Sequence, residues 1–305
     1  MAGPMSSYGE IAAQLNVRAL AEAPLAPLTT MRVGGPAAWL FVPDTTEKAA
    51  RAHAALREGS LPVRLLGGGS NVIVADEGIR AVVLATHELT GEPHRIDETH
   101  IAVPAGQPVP GLVRWAAREG LAGLEFAEGI PARLGGAIRM NAGANDAWFS
   151  DVAEKLWLAA DDGTVEERIV HADEFGYRDS VVARERLLVL GAVLRLELDD
   201  PQAIQARIRA FRDRRRRTQP LTERSAGCVF ANWPQQSVGA LIDELGLKGI
   251  RIGDAEVSRV HANFIVNRGQ ARASDVLALI DSVREQLERA MGSSPRLEVE
   301  IWRDQ

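Results

Sequence analysis

The sequence predicts an α+β protein with more than one domain. Its 305 residues are enough for two domains and a sizeable core. Hydrophobic residues make up 46% and charged residues 25%, as in ordinary globular proteins. Short apolar runs typical of strands dominate the first two-thirds of the chain, and helical and strand patterns mix in the last third.

The first part of the chain alternates strand and helix signals. We expect residues 1–28, rich in Ala and Pro, to form a loosely attached N-terminal lead-in. Residues that cap helices, Asp44 to Thr46, precede a predicted helix at 47–58, and a second helix is predicted at 108–119. Strands are predicted at 38–42, 62–66, 72–74, 81–84 and 101–103.

The rest of the chain begins with a hairpin signal. Asp161-Asp162-Gly163 separates two strand-like runs at 156–160 and 164–170, as in a hairpin. A long β-rich run follows at 187–198. Helices are then predicted at 201–217, 237–245 and 274–291, and strands at 263–267 and 297–302.

Charge and cysteine content exclude several classes of function. The net charge of −6 argues against nucleic acid as a partner, because no positive field attracts a phosphate backbone. One cysteine cannot form an intramolecular disulfide, which favours a cytoplasmic location. We expect no membrane segment, since no run reaches ~18 apolar residues, and no signal peptide. One cysteine and six scattered histidines indicate no metal site.

Two glycine clusters are the most informative feature. The first is Leu-Gly-Gly-Gly-Ser-Asn at 66–71, and the second spans 129–137 and continues through 140–144. The first cluster is not a phosphate-binding P-loop, because no Lys-Ser or Lys-Thr follows it. A bare triple glycine is typical of a tight turn, but Ser70 and Asn71 add side-chain donors beside the backbone N–H groups. The pair of clusters indicates a ligand with a long phosphate-bearing body, such as a dinucleotide.

The chain resembles the UDP-N-acetylenolpyruvoylglucosamine reductase family from about residue 28 to residue 302. The order and spacing of many short motifs carry the resemblance: residues 30–35, 67–71, 129–131, 135–137, 140–144, 177–180, 219–221, 225–227, 230, 232, 257–258, 261–267 and 297–298. Each motif is weak alone, and together, in order, they are a strong signal.

The resemblance implies a flavoenzyme of peptidoglycan precursor synthesis. Residues 29–199 would form an FAD-binding domain of the vanillyl-alcohol oxidase type with two α/β subdomains. Residues 200–302 would form an α/β substrate domain whose last strand returns toward the active site. Such enzymes use NADPH and FAD to reduce the enolpyruvyl ether of UDP-N-acetylglucosamine to the lactyl ether of UDP-N-acetylmuramate. We expect a monomer acting on a UDP-sugar.

The resemblance also implies which residues hold FAD and substrate. The residues expected at the cofactor are Gly34, Gly67, Gly68, Gly69, Ser70, Asn71, Gly129, Ile130, Gly135, Gly136, Ala137, Asn141 and Gly143. Those expected at the substrate are Tyr177, Arg178, Gln219 and Asn232. The first cluster has no histidine for a covalent flavin link, so we expect non-covalent FAD. With only Tyr8 and Tyr177 available, the chain fits the subgroup that lacks a tyrosine-bearing loop.

Three residues are expected to carry the reaction. Hydride addition to the enol ether leaves negative charge that spreads into a carboxylate, which needs a cation, an acid and a proton donor for carbon. Arg178 fits the cation because a guanidinium grips a carboxylate at two points. Glu300 matches the family's catalytic glutamate, three residues after Leu297, and is preferred over Glu298. Cys228 stands where the family carries a proton-donating serine, and a thiol of ordinary pKa ~8.5 is mostly protonated at neutral pH.

Several positions depart from the family pattern. Thr218 and Ala231 replace lysines that would help to hold the substrate diphosphate, and the arginines at 214–217 are candidate substitutes. Arg133 follows Ala132 where a glycine and a small residue are usual. Two alternatives therefore stay open: a flavoprotein oxidase of the same fold acting on another substrate, and an inactive homologue that binds FAD or a UDP-sugar. His261 has no catalytic partner at a suitable spacing, which favours a structural role.

Overall fold

The structure, a computed structural model, describes residues 4–304, with side chains described from Tyr8 onward. These residues form eight α-helices: α1 (Pro4–Leu15), α2 (Thr46–Arg57), α3 (Val109–Arg118), α4 (Leu134–Arg139), α5 (Val181–Arg184), α6 (Pro201–Thr218), α7 (Val238–Glu244) and α8 (Ala273–Met291). Within the described chain, no helix is both long and apolar enough to span a bilayer.

The strands of the described chain number 21, and many are short. They are β1 (Arg18–Pro24), β2 (Pro36–Val42), β3 (Val63–Leu66), β4 (Val72–Val74), β5 (Ile79–Ala85), β6 (His94–Arg95), β7 (His100–Pro104), β8 (Leu121–Ala122), β9 (Gly143–Ala144), β10 (Ala147–Trp148), β11 (Ala153–Ala159), β12 (Val165–Ile169), β13 (Phe175–Gly176), β14 (Asp179–Ser180), β15 (Val189–Arg195), β16 (Glu197–Leu198), β17 (Arg224–Cys228), β18 (Arg251–Ile252), β19 (Ala255–Val257), β20 (Phe264–Asn267) and β21 (Glu300–Trp302).

The chain divides into two compact units. Of the described residues, unit 1 comprises 4–22, 38–68 and 81–213, and unit 2 comprises 23–37, 69–80 and 214–304. This division differs from the predicted domains at 29–199 and 200–302, because unit 2 also takes two segments from the first third of the chain. Parallel pairing of β21 with β4, in the register Glu300↔Val72, explains why residues 69–80 belong with the C-terminal part.

Unit 1 contains two sheets. A four-stranded sheet in the order β1-β2-β5-β3 lies largely in this unit, and β3 pairs with β5 in parallel. The other sheet has the order β12-β11-β15-β7-β6 and is antiparallel throughout. Most of the five-stranded sheet packs in a core that includes Ile101 and Phe149. A second core includes Phe41, Leu56 and Leu84 together with Leu190 of β15, so both sheets contribute to it.

Unit 2 is built on one antiparallel sheet and a long helix. The sheet has the order β17-β20-β19-β18, and α8 packs against β19 and β18. Val276, Leu279 and Val283 of α8 are buried at helical spacing, as expected for the apolar face of an amphipathic helix. The carboxylate of Asp76 accepts hydrogen bonds from the N–H groups of Ala273 (2.7 Å) and Ser274 (2.9 Å), which caps the helix from a distant part of the chain.

The expected loose lead-in is wrong for the residues that the structure describes. Residues 4–28 form α1, β1 and a short 3₁₀ turn, and the predicted lead-in at 1–3 lies outside the described residues. Tyr8 is 1% exposed, and its hydroxyl oxygen accepts a hydrogen bond from Leu61 N–H at 2.9 Å. Leu25 is fully buried. Burial of apolar side chains of this size stabilises a fold by about 1.5–3 kcal/mol each, so this segment is an integral part of the protein.

Most of the other predicted elements are confirmed within a few residues. Thr45 Oγ1 accepts from Lys48 N–H at the start of α2, as its capping role predicts. The Asp161-Asp162-Gly163 turn joins β11 to β12, with Ala159 opposite Val165. The long run at 187–198 instead forms two strands, because β15 ends at Arg195 and β16 pairs separately with β8.

Candidate active site

The two glycine clusters meet within unit 1. A Cβ placed on Gly67 would lie 3.8 Å from the backbone N and Cα of Gly136. One placed on Gly68 would lie 3.5 Å from the backbone of Arg133 and Pro131. A ligand entering between these loops would therefore meet bare backbone from both clusters, as close approach to a phosphate requires.

A cavity opens where the clusters meet. Its walls combine glycine backbone, one arginine and apolar side chains, namely Leu65, Leu66, Gly67, Thr86, Gly135, Gly136, Arg139, Val182, Leu187, Leu188 and Val189. A Cβ on Gly136 would meet nothing within 4 Å, so this glycine leaves room for a ligand. Open backbone and a guanidinium suit a diphosphate, and the apolar wall suits a ring system. The residues present therefore fit a dinucleotide such as FAD.

Four other predicted cofactor residues of unit 1 also have a structural role. Ile130 and Ala137 pack in or against the core of the five-stranded sheet. Gly143 leaves no space for a side chain, because a Cβ there would overlap the indole ring of Trp148. Gly129 has a φ of +76° at the loop that enters the second cluster. Direct contact of these residues with a cofactor stays a prediction.

Asn141 braces the second cluster. Its side chain is buried, the amide Nδ2 donates to Gly176 O at 3.0 Å, and Oδ1 accepts from Ser150 N–H at 3.0 Å. These bonds join the end of the cluster to the hairpin formed by β13 and β14. The residue that the sequence assigns to cofactor binding thus positions the neighbouring loop.

Arg178 lies at the tip of that hairpin. Its φ is +55°, a left-handed conformation that costs a non-glycine residue on the order of 1–3 kcal/mol. The guanidinium lies 5.4 Å from the centre of the Tyr177 ring, and Nη2 donates to Gly143 O at 3.4 Å. Ser180 Oγ donates to Arg139 O at 2.6 Å at the base of the hairpin. A strained residue held from several sides is typical of a functional site.

The remainder of the first cluster belongs to unit 2 and is tied to its strands. Thr30 N–H donates to Gly69 O (3.1 Å), and Thr30 Oγ1 donates to Ser225 O (2.6 Å). Asn71 Nδ2 donates to Glu298 O at 3.0 Å, and Asn71 O accepts from Glu300 N–H at 2.9 Å. The end of the cluster is thereby joined to the strand that carries the predicted catalytic glutamate. The structure gives no comparable contact for the side chain of Ser70, whose role stays a prediction.

Unit 2 brings Cys228 and Glu300 onto adjoining segments. Cys228 is half-buried at the end of β17, and its neighbour Val229 accepts at its carbonyl oxygen from Glu298 N–H at 2.8 Å. Glu300 begins β21, and its Oε2 accepts from Trp302 Nε1 at 3.2 Å. Arg178, the third predicted catalytic residue, belongs to unit 1.

Asn263 fixes the segment that follows Cys228. Its Oδ1 accepts from Phe230 N–H at 3.0 Å, and its Nδ2 donates to Phe230 O at 2.7 Å. His261 Nδ1 accepts from Asn263 N–H at 3.3 Å, and burial, followed by the charge of Lys248, lowers the pKa of this histidine. A neutral, hydrogen-bonded imidazole agrees with the structural role expected for His261. The motif at 261–267 contributes to the family resemblance, but the sequence alone indicates no role for Asn263.

Two predicted substrate residues differ in their surroundings. Gln219 Oε1 is buried and has no hydrogen-bond partner among the described residues. A buried acceptor of this kind costs about 1–3 kcal/mol unless a donor reaches it, so it suits a ligand contact. Asn232 Oδ1 already accepts from Val238 N–H at 3.0 Å, at the start of α7. Its side chain therefore supports a helix end, and its contact with substrate stays a prediction.

Gly34 is another predicted cofactor residue beside which the chain leaves no space for a side chain. A Cβ there would lie 2.5 Å from Val74 O, and the residue has a φ of +107°. Only glycine allows the backbone to approach β4 so closely. A direct cofactor role for Gly34 stays a prediction beside this structural one.

Comparison with known proteins agrees with these observations. Residues 219–302 match the family model of the UDP-N-acetylenolpyruvoylglucosamine reductase C-terminal domain, and residues 37–167 match an FAD binding domain. A UDP-N-acetylenolpyruvoylglucosamine reductase of Moorella thermoacetica is 42% identical over 96% of this chain and 96% of its own length. One from Bacillus subtilis is 38% identical over 93% of this chain and 94% of its own.

Solved structures give the same result for the fold. The crystal structure of UDP-N-acetylenolpyruvylglucosamine reductase from Thermus caldophilus superposes with a TM-score of 0.80 at 40% identity, covering 94% of this chain and 99% of that one. A variant of berberine bridge enzyme shares only the fold, with a TM-score of 0.52 at 13% identity over 63% of this chain and 43% of that one. The expected FAD-binding fold with an added C-terminal domain is confirmed. This chain belongs to the UDP-N-acetylenolpyruvoylglucosamine reductase family.

Proposed function

We propose that the protein reduces the enolpyruvyl ether of UDP-N-acetylglucosamine to UDP-N-acetylmuramate, a step in peptidoglycan biosynthesis, with FAD as cofactor and NADPH as reductant. The observation that carries the proposal lies in unit 2. A potential proton donor, Cys228, and a carboxylate, Glu300, occupy segments joined by the hydrogen bond between Val229 and Glu298. This pairing is what protonation beside a developing enolate requires.

FAD, when bound, supplies two-electron transfer from NADPH to the terminal carbon of the enolpyruvyl group. Gly67, Gly135 and Gly136 would admit its diphosphate to bare backbone, and Arg139 would offset its charge. The leucine and valine side chains of the cavity would exclude water from the rings. We infer that FAD is held without a covalent bond, and release of free flavin on acid precipitation tests this.

Arg178 would bind the substrate carboxylate. Charge that develops on the carbon next to the ether oxygen spreads into this carboxylate, and a fixed guanidinium stabilises it more than mobile water does. Arg178 donates to Gly143 O, and Ser180 Oγ ties the base of its hairpin to Arg139 O. Because the arginine is already held in place, little reorganisation is needed when the charge forms. An arginine is required here, because its planar fork matches both carboxylate oxygens.

Cys228 and Glu300 would complete the addition. The Cys228 thiol would give its proton to the carbon that bears the ether oxygen, so that one C–H bond forms from hydride and one from a proton. Glu300 would hydrogen-bond the substrate carboxylate as charge accumulates there. Trp302 Nε1 holds the Glu300 side chain in one orientation.

Gln219 would donate to and accept from the UDP-sugar. Its buried Oε1 lacks a donor among the described residues, and a sugar hydroxyl or amide N–H would supply one. The arginines at 214–217 would offset the substrate diphosphate in place of the lysines that the family carries nearby. We further infer that the protein is a cytoplasmic monomer, and light scattering on the purified protein tests the monomer.

A two-step optical experiment tests the proposed function. The purified protein should show flavin absorbance that NADPH bleaches in the absence of oxygen. Addition of the enolpyruvyl UDP-sugar should restore the oxidised spectrum and yield a product with two added hydrogens by mass spectrometry. If oxygen alone restored the oxidised flavin spectrum, the result would favour an oxidase. If NADPH did not bleach the flavin absorbance, the result would favour the inactive homologue.

A further inference from the structure

Arg133 occupies a position that local structure does not favour. It is the N-cap of α4, and its side chain makes no capping hydrogen bond there. Ser, Thr, Asp or Asn at an N-cap stabilises a helix by about 1 kcal/mol over residues that cannot accept from the backbone. A positive charge is also unfavourable beside the unpaired N–H groups of a helix start. Nothing in the helix itself accounts for this arginine.

The surroundings of Arg133 leave its charge without an acidic partner. The side chain is half-buried, its Nη1 donates to Gly106 O, and burial lowers the pKa of the guanidinium. No carboxylate lies within ion-pair distance of it among residues 4–304. A positive charge that is partly removed from water without an anion is costly.

A second basic group lies nearby. Burial lowers the pKa of His87 most, and the charge of Arg133 lowers it further. The neighbouring Glu88 lies 3.9 Å from His87 Nε2 and is bonded to Arg18. Arg133 and His87 therefore form a basic pair in which only the histidine has a carboxylate neighbour.

Arg133 also lies beside Gly68 of the first glycine cluster. A Cβ on Gly68 would be 3.5 Å from Arg133 N and 3.6 Å from Arg133 Cγ. Arg133 is followed within three residues by Gly135 and Gly136, which line the cavity together with Arg139. The unpaired cation thus adjoins backbone suited to a diphosphate.

We propose that Arg133 binds the diphosphate of FAD and sets the affinity of this protein for the cofactor. The inference rests on the proposed function, since it takes FAD as the dinucleotide. A guanidinium pairs with phosphate oxygens through charge-assisted hydrogen bonds, which offsets the cost of its burial. The cation replaces a helix cap, so the apo protein gives up local stability for affinity.

Flavin titration of the apo protein tests this role. The dissociation constants of FAD and of riboflavin, which lacks the diphosphate, would be measured by fluorescence for the wild type and for Arg133→Gln, Arg133→Lys and Arg51→Gln. Arg133→Gln should weaken FAD binding about 10- to 100-fold, as loss of a charge-assisted bond predicts, with riboflavin binding unchanged. Arg133→Lys should lose less FAD affinity than Arg133→Gln, because it keeps the positive charge. Arg51, exposed on α2, is the control for loss of one positive charge.

The outcomes separate this inference from the proposed function. An FAD affinity of Arg133→Gln within twofold of the wild type, or an equal loss for FAD and riboflavin, overturns it. A thermal midpoint of the apo variant equal to or above that of the wild type supports it, because removal of an unfavourable charge from the start of α4 then offsets the lost hydrogen bond to Gly106 O. A marked fall would assign Arg133 a structural role. If the wild type binds riboflavin and FAD with equal affinity, the diphosphate contributes nothing to binding. This inference then fails, while the proposed flavin chemistry stands. A wild type that binds neither flavin overturns both.

Discussion

Glycines of the same sequence signature serve different purposes in the two units. In unit 2, the backbone of Val74 occupies the space that a side chain at Gly34 would need, and the carbonyl of Leu28 does the same at Gly69. In unit 1, Gly136 faces open space, and Gly67 leaves ordinary contact distance to the opposite loop. The first kind lets the chain approach itself, and the second kind leaves room for a ligand. A glycine-rich motif therefore does not by itself distinguish a ligand loop from a packing requirement.

The functional side chains differ in the same way. Unit 2 holds Cys228 and Glu300 within a network of backbone and amide hydrogen bonds from Thr30, Asn71 and Asn263. Unit 1 offers open backbone and the guanidinium of Arg139 at a cavity. Unit 2 therefore holds reacting groups in fixed positions, and unit 1 leaves room for a large ligand. Four experiments test this division, in descending order of expected effect.

Removal of the Cys228 thiol should give the largest effect. Cys228→Ala should lower kcat by about 10²- to 10⁴-fold, the usual contribution of a general acid, while the flavin spectrum stays normal. Cys228→Ser is the matched control and should keep most of the activity, because a hydroxyl can also deliver the proton. Stopped-flow reoxidation by the enolpyruvyl UDP-sugar measures both. Near-normal turnover of the alanine variant would remove Cys228 from the reaction.

A side chain at Gly34 should destabilise the protein strongly. Gly34→Ala places a Cβ against Val74 O at a φ of +107°, so we expect a loss of about 3 kcal/mol or more in the free energy of unfolding. Urea denaturation of the apo protein measures it. A loss below about 1 kcal/mol would contradict the assignment of this glycine to packing.

Acid should destabilise unit 1 through His53. This histidine is 4% exposed on α2, and burial, followed by the charge of Arg57, lowers its pKa to about 4. Since the unfolded chain binds the proton near pH 6.5, the stability from the neutral imidazole is complete above pH 6.5 and is lost as pH falls toward 4. The loss is about 3 kcal/mol at most.

The variant His53→Leu removes this titration. Its unfolding free energy should fall less than that of the wild type between pH 6.5 and pH 4, as measured by urea denaturation at each pH. Asp76 of unit 2 serves as a contrast: hydrogen bonds from Ser274 and Ala273 outweigh burial and lower its pKa, so its contribution is lost only at more acidic pH. Parallel pH profiles for wild type and His53→Leu would contradict the role of His53.

A side chain at Gly136 should have the smallest effect and one of a different kind. Gly136→Ala meets nothing within 4 Å, and alanine favours the helix that Gly136 occupies, so stability should be equal or slightly higher. FAD affinity should fall about tenfold, near 1.4 kcal/mol, because the methyl group enters the cavity. Fluorescence titration measures it. If Gly136→Ala lowered the free energy of unfolding and left the FAD affinity unchanged, Gly136 would be a packing glycine like Gly34.

Local signals in the sequence were sufficient for many elements. Thr45 caps α2 and Ser237 caps α7, and Gly292 ends α8 in the left-handed conformation, as their residue types predict. The hairpin at Asp161–Gly163 follows from its turn residues. Motif order alone also led to the family that the comparisons confirm.

Other elements could not be predicted because non-local contacts form them. The Ala-rich start of the chain has weak periodicity, and the burial of Tyr8 depends on later elements, including Trp39 of β2 and Leu61. The β9–β10 hairpin turns at Asn145 and Asp146, both at positive φ, without the glycine that normally signals such a turn. Asn and Asp adopt this conformation more readily than other residues, which allows the turn.

By itself, the sequence determined the family, the cofactor class and the residue types available for chemistry, because these follow from motif order and side-chain identity. Only the tertiary structure decided which glycines leave room for a ligand and which are filled by the chain, since a Cβ contact depends on residues distant in sequence. It also decided that residues 23–37 and 69–80 belong with the C-terminal unit, the first through bonds such as that from Asn267 Nδ2 to Met31 O and the second through the parallel pairing of β4 with β21. Strand pairing over such separations is set by the packing of the whole chain and leaves no local signal.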